Sequence, residues 1–513
     1  MFNFLDLFSG IGGFRLAFEG LGGHCVGYSE ICPKAIKAYQ ENFNTCDEVA
    51  LGDITKIREI PANVDAILAG VPCQSWSIAG KNLGFEDDRG QLWNDTLYLV
   101  HKKKPKVFLF ENVKGLVDPR NSDALEYIMT RIHRMGYHAT HFVLNSYDFG
   151  LLQNRIRIYI VGFREKAYFE RFQVPLKINH TMKLYDVLDD LPQSRQEKVK
   201  LSIDELFRGR LPGARTKFQK DDEFNDFFLF NDIRDGHTAI HSWDIIKTTT
   251  REKNICRLLL KNRRKSIYGA FDGNPLAERH FKGLDASITK SELEQLVRKG
   301  ILKQIFYTYK VKDFKSNGRD ANELLLLQHA KNRRLMLEDL KKSRELKKTS
   351  FSPILDRLAS EGVIEPEEAR YDFRYTKISS GIEGICRIYL PVSDVFSTLV
   401  ASDTNDYVAT RNIYATSLRE YRQKFISEIF EPKNYRKITK KEACAIQGFP
   451  NDFKLPERRT EWMKLIGNSV SIPVIRAIAD SIVKTGVFGD TAIESIRPHT
   501  TIRSGIKTVA IDI

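Results

Sequence analysis

The run VPCQSW places a thiol, Cys73, directly after the apolar stretch DAILAG, behind the rigid Pro72 and ahead of the polar Gln74, Ser75 and Ser77. A cysteine at a strand end is usually inert packing. A buried structural thiol would not need so stiff and polar a turn, however, and the thiolate form is a nucleophile. Downstream, KVFLFENV ends another apolar run with a carboxylate, Glu111, so a thiol and a carboxyl group converge on one sheet edge. The block QNRIR sets Arg155 and Arg157 two apart at the start of a strand, which predicts both guanidinium groups on one face. Alternating arginines are also common on solvated strands.

A second group of residues has the types needed to hold a cofactor. The first apolar run ends in DLFSGIGGF, so Gly10, Gly12 and Gly13 fall where a strand turns into a helix and a ligand can approach the backbone closely. The same glycines would serve a dinucleotide or merely a tight turn. Two carboxylates sharpen the reading, because Glu30 ends the second strand and Asp53, in GDI, follows the third. An acidic residue after the second strand of a doubly wound sheet binds ribose hydroxyls, although either carboxylate taken singly could be a helix cap.

These residues must be positioned by the runs that carry them. FNFLDLF, HCVGYSE, DAILAG, KVFLFE and IRIYIVGF alternate with amphipathic stretches through residue 165 or so. That alternation predicts an α/β fold: a doubly wound, mostly parallel, Rossmann-like sheet whose sites lie at the carboxyl ends of its strands. The rhythm stops in the more charged sequence beyond. The expected organisation is a catalytic and cofactor-binding domain over 1–179, a large irregular domain over 180–434, a C-terminal segment over 435–486 that returns to the first domain, and a tail over 487–513. Within the second domain LEQLVRKGIL and LDRLASEGVI share Leu, Leu, Gly and two aliphatics at identical spacing. The echo is either chance recurrence of a helix ending in glycine before a strand, or two small helix-plus-hairpin units that present basic and aromatic side chains to DNA.

Bulk properties narrow the class. With 80 Lys and Arg against 66 Asp and Glu the net charge is +14, which favours a polyanionic partner. The seven cysteines form no CxxC pair of the kind that suggests a zinc or redox site, so no metal is expected. The N-terminus lacks a basic segment before its apolar stretch and no later stretch is expected to span a bilayer, so an intracellular protein without a membrane partner is expected.

In this order DLFSGIGGF, GVPCQSWSIAG, ENV, QNRIR, QGFP and IGNSV resemble the signature blocks of the cytosine-5 DNA methyltransferase family. The resemblance covers residues 1 to about 165 and 435–484, and it implies that the stretch between is a target-recognition domain. It implies S-adenosylmethionine as cofactor and double-stranded DNA as substrate, with Cys73 attacking C6 of a flipped cytosine, Glu111 contacting N3 and the exocyclic amine, and Arg155 and Arg157 lining the pocket. It further implies that Asp6, Phe8, Gly10, Gly12, Gly13 and Pro72 hold the cofactor's methionine part and adenine edge, Glu30 the ribose, and Asp53 with Ile54 the adenine, while Asn468 closes the site. Ser77 and Arg89, on a loop that closes over the base, would face DNA. Three residues depart from the family's commonest pattern: Trp76, Cys32 and Trp462. By family habit the chain would act as a monomer in the bacterial cytoplasm or nucleoid, paired with a restriction endonuclease of the same site.

In the second domain the basic run from Lys247 to Lys265, with Arg263 and Arg264, is expected to grip phosphate, and Thr398 with Leu399 to shape a base-reading loop. Three rivals stand beside this reading: an RNA methyltransferase, a nicotinamide oxidoreductase built on the GIGG turn, and a catalytically dead DNA-binding regulator. The second leaves Cys73, Glu111 and QNRIR without roles, and the third must explain why every reacting group is present.

Overall fold

The computed structural model describes residues 1–72, 88–178, 182–189, 242–269, 273–312, 318–343, 350–374, 395–413 and 423–489, together with residues 346, 385, 387–391, 393 and 420. The N-terminal part runs β1 (Phe2–Leu7), α1 (Gly13–Glu19), β2 (Gly23–Ser29), α2 (Pro33–Asn42), β3 (Val49–Ala50), β4 (Ala66–Gly70), α3 (Asp88–Lys103), β5 (Val107–Val113), α4 (Ser122–Arg134), β6 (His138–Asn145), β7 (Ile156–Phe163) and α5 (Lys166–Arg171). Its seven strands form one sheet in the order β3-β2-β1-β4-β5-β7-β6. The first five are parallel, while β7 runs antiparallel between β5 and β6.

Alternation along the central strands sends side chains to two cores. Phe2 and Phe4 of β1, Leu68 of β4, Leu109 of β5 and Val161 of β7 enter the larger one. Leu5, Leu7, Ile67, Phe108, Phe110 and Ile160 enter the other, against Trp93 and Leu97 of α3 and Ile128 and Ile132 of α4. Both faces are covered, which is why these strands read as continuous apolar runs.

The C-terminal segment supplies much of the larger core through α13 (Lys440–Gln447), α14 (Arg459–Asn468) and α15 (Ile472–Val483). It extends further than expected: Val487 and Phe488 are buried, and the Phe488 ring stacks on Phe2 at 3.8 Å. Any tail therefore starts after them. The stretch Arg459–Val483 is long and apolar enough to pass for a membrane span, contrary to the expectation from sequence, but 67% of its apolar window is buried inside the fold. It is two core helices interrupted at Ser469–Ser471.

The intervening residues build α6 (Ser242–Ile245), α7 (Thr250–Asn262), β8 (Leu276–Ala277), α8 (Glu278–Leu284), α9 (Lys290–Arg298), β9 (Leu302–Val311), α10 (Ala321–Gln328), β10 (Arg334–Met336), α11 (Leu337–Lys342), α12 (Phe351–Ser360) and β11 (Ile364–Phe373). Four of these strands form a sheet ordered β10-β9-β11-β8. After them β12 (Arg387–Tyr389) and β13 (Asp406–Ala409) pair, and β13 also pairs with β14 (Tyr435–Arg436). Tyr389, Phe396, Leu399 and Val408, expected with the second domain, lie in the larger N-terminal core instead.

Candidate cofactor and catalytic site

The glycine turn sits at the carboxyl end of β1. Phe8 adopts φ 52, an unusual conformation for a non-glycine residue, and Gly10 and Gly12 follow in the same left-handed region. A Cβ on Gly12 would stand 2.3 Å from the Phe43 ring, so only glycine fits. Gly13 packs against Val470 and Ser469, which brings the IGNSV block onto this turn. Glu30, just past β2, accepts from the Gly10 backbone N–H at 2.9 Å and from those of Ile31 and Cys32 at 2.8 Å. Its carboxylate therefore braces the turn. Asp53 caps the 3-10 turn Ile54–Lys56 by accepting from the Thr55 N–H at 3.0 Å, and Ile54 is buried below it.

Asp6 lies fully buried beneath the turn. One carboxylate oxygen accepts from the Tyr39 hydroxyl at 3.5 Å, and Oδ1 has no hydrogen-bond partner. Burial pushes its pKa well above 3.8, against the weaker pull of Arg15. Burial, then the nearby Asp6, likewise pushes the Cys25 thiol up to about 12, so that cysteine is inert. A buried oxygen left unsatisfied beneath a glycine cradle is a polar site awaiting a donor, and this fits a cofactor bearing amino groups and ribose hydroxyls.

Glu111 is set by register. Parallel pairing places Gly70 of β4 opposite Glu111 of β5, and antiparallel pairing brings Arg157 of β7 opposite Val113, at the same edge. Glu111 Oε1 meets Arg157 Nε at 3.0 Å, with the two side chains only 11% and 15% exposed. Asn112 donates to the Val71 carbonyl at 3.2 Å and so ties down the backbone two residues before Cys73. That role was missed in sequence, where ENV carried the signal. Pro72 is half-buried; Cys73 and Ser77 lie outside the described residues, and Arg89 is described only as backbone in the first turn of α3.

Arg155 does not join Arg157. It is buried and turns away to donate to the carbonyls of Leu399 at 3.0 Å, Gly467 at 3.1 Å and Ser469 at 2.5 Å. The expectation of two arginines in one pocket is corrected, because Arg155 precedes the regular strand and the period-two rule does not yet apply to it. Gln153 and Gln447, also unassigned in sequence, extend this junction. Gln153 donates to Gln447 Oε1 at 2.6 Å and accepts from the Leu399 N–H, while Gln447 donates to the Ser469 and Val470 carbonyls. Asn468 itself is exposed, next to the residues that pack on Gly13.

Two expectations in the second domain are also corrected. Arg263 is 2% exposed and bonds Asp372 through both Nε and Nη2, at 3.0 and 2.9 Å, so it cannot reach phosphate. Arg264 is half-buried beside it, while Lys261 and Lys265 are exposed. The Thr398 hydroxyl donates to the Asn154 carbonyl and Leu399 is buried, so the pair fastens its segment to QNRIR rather than presenting side chains to bases.

A family model for C-5 cytosine-specific DNA methylases matches residues 2–484. The Type II methyltransferase M.HgiBI of Herpetosiphon aurantiacus is 40% identical over 485 residues, covering 94% of this chain and 96% of that protein. The Type II methyltransferase M.NlaIV of Neisseria lactamica is 30% identical over 508 residues, covering 94% and 99%. With its glycine cradle, its edge carboxylate and a match that spans both the sheet and the inserted region, this chain belongs to the C-5 cytosine-specific DNA methylase family.

Proposed function

We propose that the chain methylates C5 of a cytosine within a specific duplex DNA sequence, with Cys73 as nucleophile. The observation that carries this reading is the placement of Glu111 beside the end of β4, ion-paired to Arg157, at the sheet edge that also holds the glycine cradle. S-adenosylmethionine, when bound, supplies an electrophilic methyl group. Asp6, Phe8, Gly10, Gly12 and Gly13 would hold its methionine and adenine edge, Glu30 its ribose, and Asp53 and Ile54 its adenine, with Pro72 and Asn468 at the margins. Glu30 would do so while keeping the Gly10 N–H.

The target base must leave the helix stack, because C6 and C5 are otherwise out of reach. The Cys73 thiolate then adds to C6, forming a carbon–sulfur bond and pushing the electron pair toward C5. Glu111 shares a proton with N3 so that the developing charge is absorbed by the ring, and Arg157 holds that carboxyl group in position. After methyl transfer, loss of the C5 proton returns the electron pair to the ring and expels Cys73. Ser77 and Arg89 would contact DNA around the flipped base, and the exposed Lys261 and Lys265 would attract phosphate. The Type II naming of the relatives supports a restriction-modification role beside an endonuclease of the same specificity.

The test is covalent capture. Duplex DNA in which 5-fluorocytosine replaces cytosine should form a denaturation-resistant adduct with the wild-type protein in the presence of cofactor, because fluorine cannot leave as a proton. Cys73→Ala should form none and transfer no methyl group. Methyl transfer by that variant at a wild-type rate would overturn the assignment.

A further inference from the structure

The echo between LEQLVRKGIL and LDRLASEGVI is structural. In each case a helix, α9 or α12, ends at a glycine with positive φ, Gly300 at 75° or Gly362 at 73°, and leads directly into a ten-residue strand, β9 or β11. Leu293 and Leu355, and Leu296 and Leu358, are the buried residues at matching places. The equivalence extends backward. β8 and β10 are short strands, each passing at once into a short helix, α8 or α11.

The two strand–helix–helix–strand units interlock. β9 and β11 pair antiparallel from Leu302↔Phe373 to Val311↔Ile364, which relates the units by a local twofold. β10 lies on β9, with Leu335 opposite Tyr309, and β8 lies on β11, with Leu276 opposite Tyr371. Each unit keeps its own core and borrows from its neighbour's long strand: Tyr371 and Phe373 enter the first, Tyr307 and Tyr309 the second. A short strand, two helices and a strand completed by a middle strand make a winged helix-turn-helix, and here each unit supplies the other's middle strand.

The second helix of such a motif lies in the major groove, and the two copies differ on that surface. On α9, Ser291, Gln295 and Arg298 fall at successive turns of one exposed face, without a polar partner among the described residues. The helix is held rigidly, since Arg251 of α7 pairs with Asp285 at 2.7 Å and Glu292 at 2.9 Å across its entry turn. On α12 the matching positions are Pro353, Arg357 and Ser360, and Arg357 is committed to Asp320 at 2.6 Å and Glu323 at 2.7 Å. A proline without a polar group and an arginine held by two carboxylates leave this face little to offer a base edge.

We infer that the inserted region is a duplicated, interlocked pair of helix-turn-helix units in which α9 reads the target sequence in the major groove through Ser291, Gln295 and Arg298, while α12 has become scaffold. The inference rests on the proposed DNA methylation and adds where specificity is read. Glutamine and arginine are the side chains that read adenine and guanine edges by paired hydrogen bonds.

The experiment methylates a randomised duplex library with the full-length protein and maps the modified cytosines by bisulfite sequencing. Gln295→Ala and Arg298→Ala should each lower preference for the wild-type sequence on the order of tenfold at one or two base positions. Cofactor affinity and melting temperature should be unchanged, and Ser360→Ala, at the α12 position matching Arg298, should keep the wild-type profile. Wild-type modification of the same library establishes methyl transfer separately, so a loss of reading is told apart from a loss of activity. Profiles of Gln295→Ala and Arg298→Ala that superimpose on wild type would overturn the inference. So would a profile altered by Ser360→Ala instead.

Discussion

Replacing Arg155 by alanine removes three hydrogen bonds from one buried guanidinium, to the carbonyls of Leu399, Gly467 and Ser469. Hydrogen bonds to a charged group contribute roughly 1.5–3 kcal/mol each. The full loss is not three times that, because Ser469 keeps its bond from Gln447 and water can enter the space left behind. A net cost of roughly 3–5 kcal/mol, the range for breaking a buried charged network, is the expected result. That is a large part of a stability of about 5–15 kcal/mol, and it lowers the melting temperature on the order of 10 °C. Arg155→Lys, with one compact donor in place of a fork, should fall between the two. Because Ser469 and Val470 pack on Gly13, cofactor affinity should fall with stability, while the single-turnover rate at saturating cofactor and DNA changes little. Melting curves by circular dichroism and rapid-quench methyl transfer on the same preparations make the comparison. An alanine variant that melts like wild type but turns over far more slowly would refute the structural role and return Arg155 to the catalytic pocket.

Arg263→Ala should destabilise by roughly 3–5 kcal/mol in urea denaturation, since it strands Asp372 in the interior, and a change confined to the salt dependence of DNA binding would contradict the buried pair. Asp6→Asn should stabilise the cofactor-free protein near neutral pH. The raised folded-state pKa means that wild type is favoured while Asp6 is protonated and loses that advantage as pH rises from about 3.8 through the folded value, so melting temperatures of the two proteins should diverge upward through this window. Parallel curves across that range would show that the carboxyl is not desolvated as described. Asp53→Ala should weaken S-adenosylmethionine binding in calorimetry by removing the group that caps the Ile54–Lys56 turn, and an unchanged affinity would take Asp53 out of the cofactor site.

Much of this protein could be read from local pattern. The buried strands β1, β2, β4, β5 and β7 stood out as apolar runs because both faces of the sheet are covered. Motif blocks carried the glycine cradle, Glu30, Asp53 and Glu111, whose places follow from where a strand ends. By contrast β6, an edge strand reading HATHFVLN and only partly buried, has no apolar run to announce it. The Arg155 side chain was misplaced for a related reason: periodicity orients a side chain only inside a regular strand, and its partners lie more than 240 residues away in sequence. Arg263 looked like a phosphate ligand because charge is visible in a sequence and burial is not; its partner Asp372 is 109 residues distant. Likewise the repeated Leu, Leu and Gly spacing showed that two helices end alike, since a helix end is local. That the two units exchange middle strands, and that one recognition helix is open while the other is closed by Asp320 and Glu323, depended on long-range pairing that only the folded chain brings together.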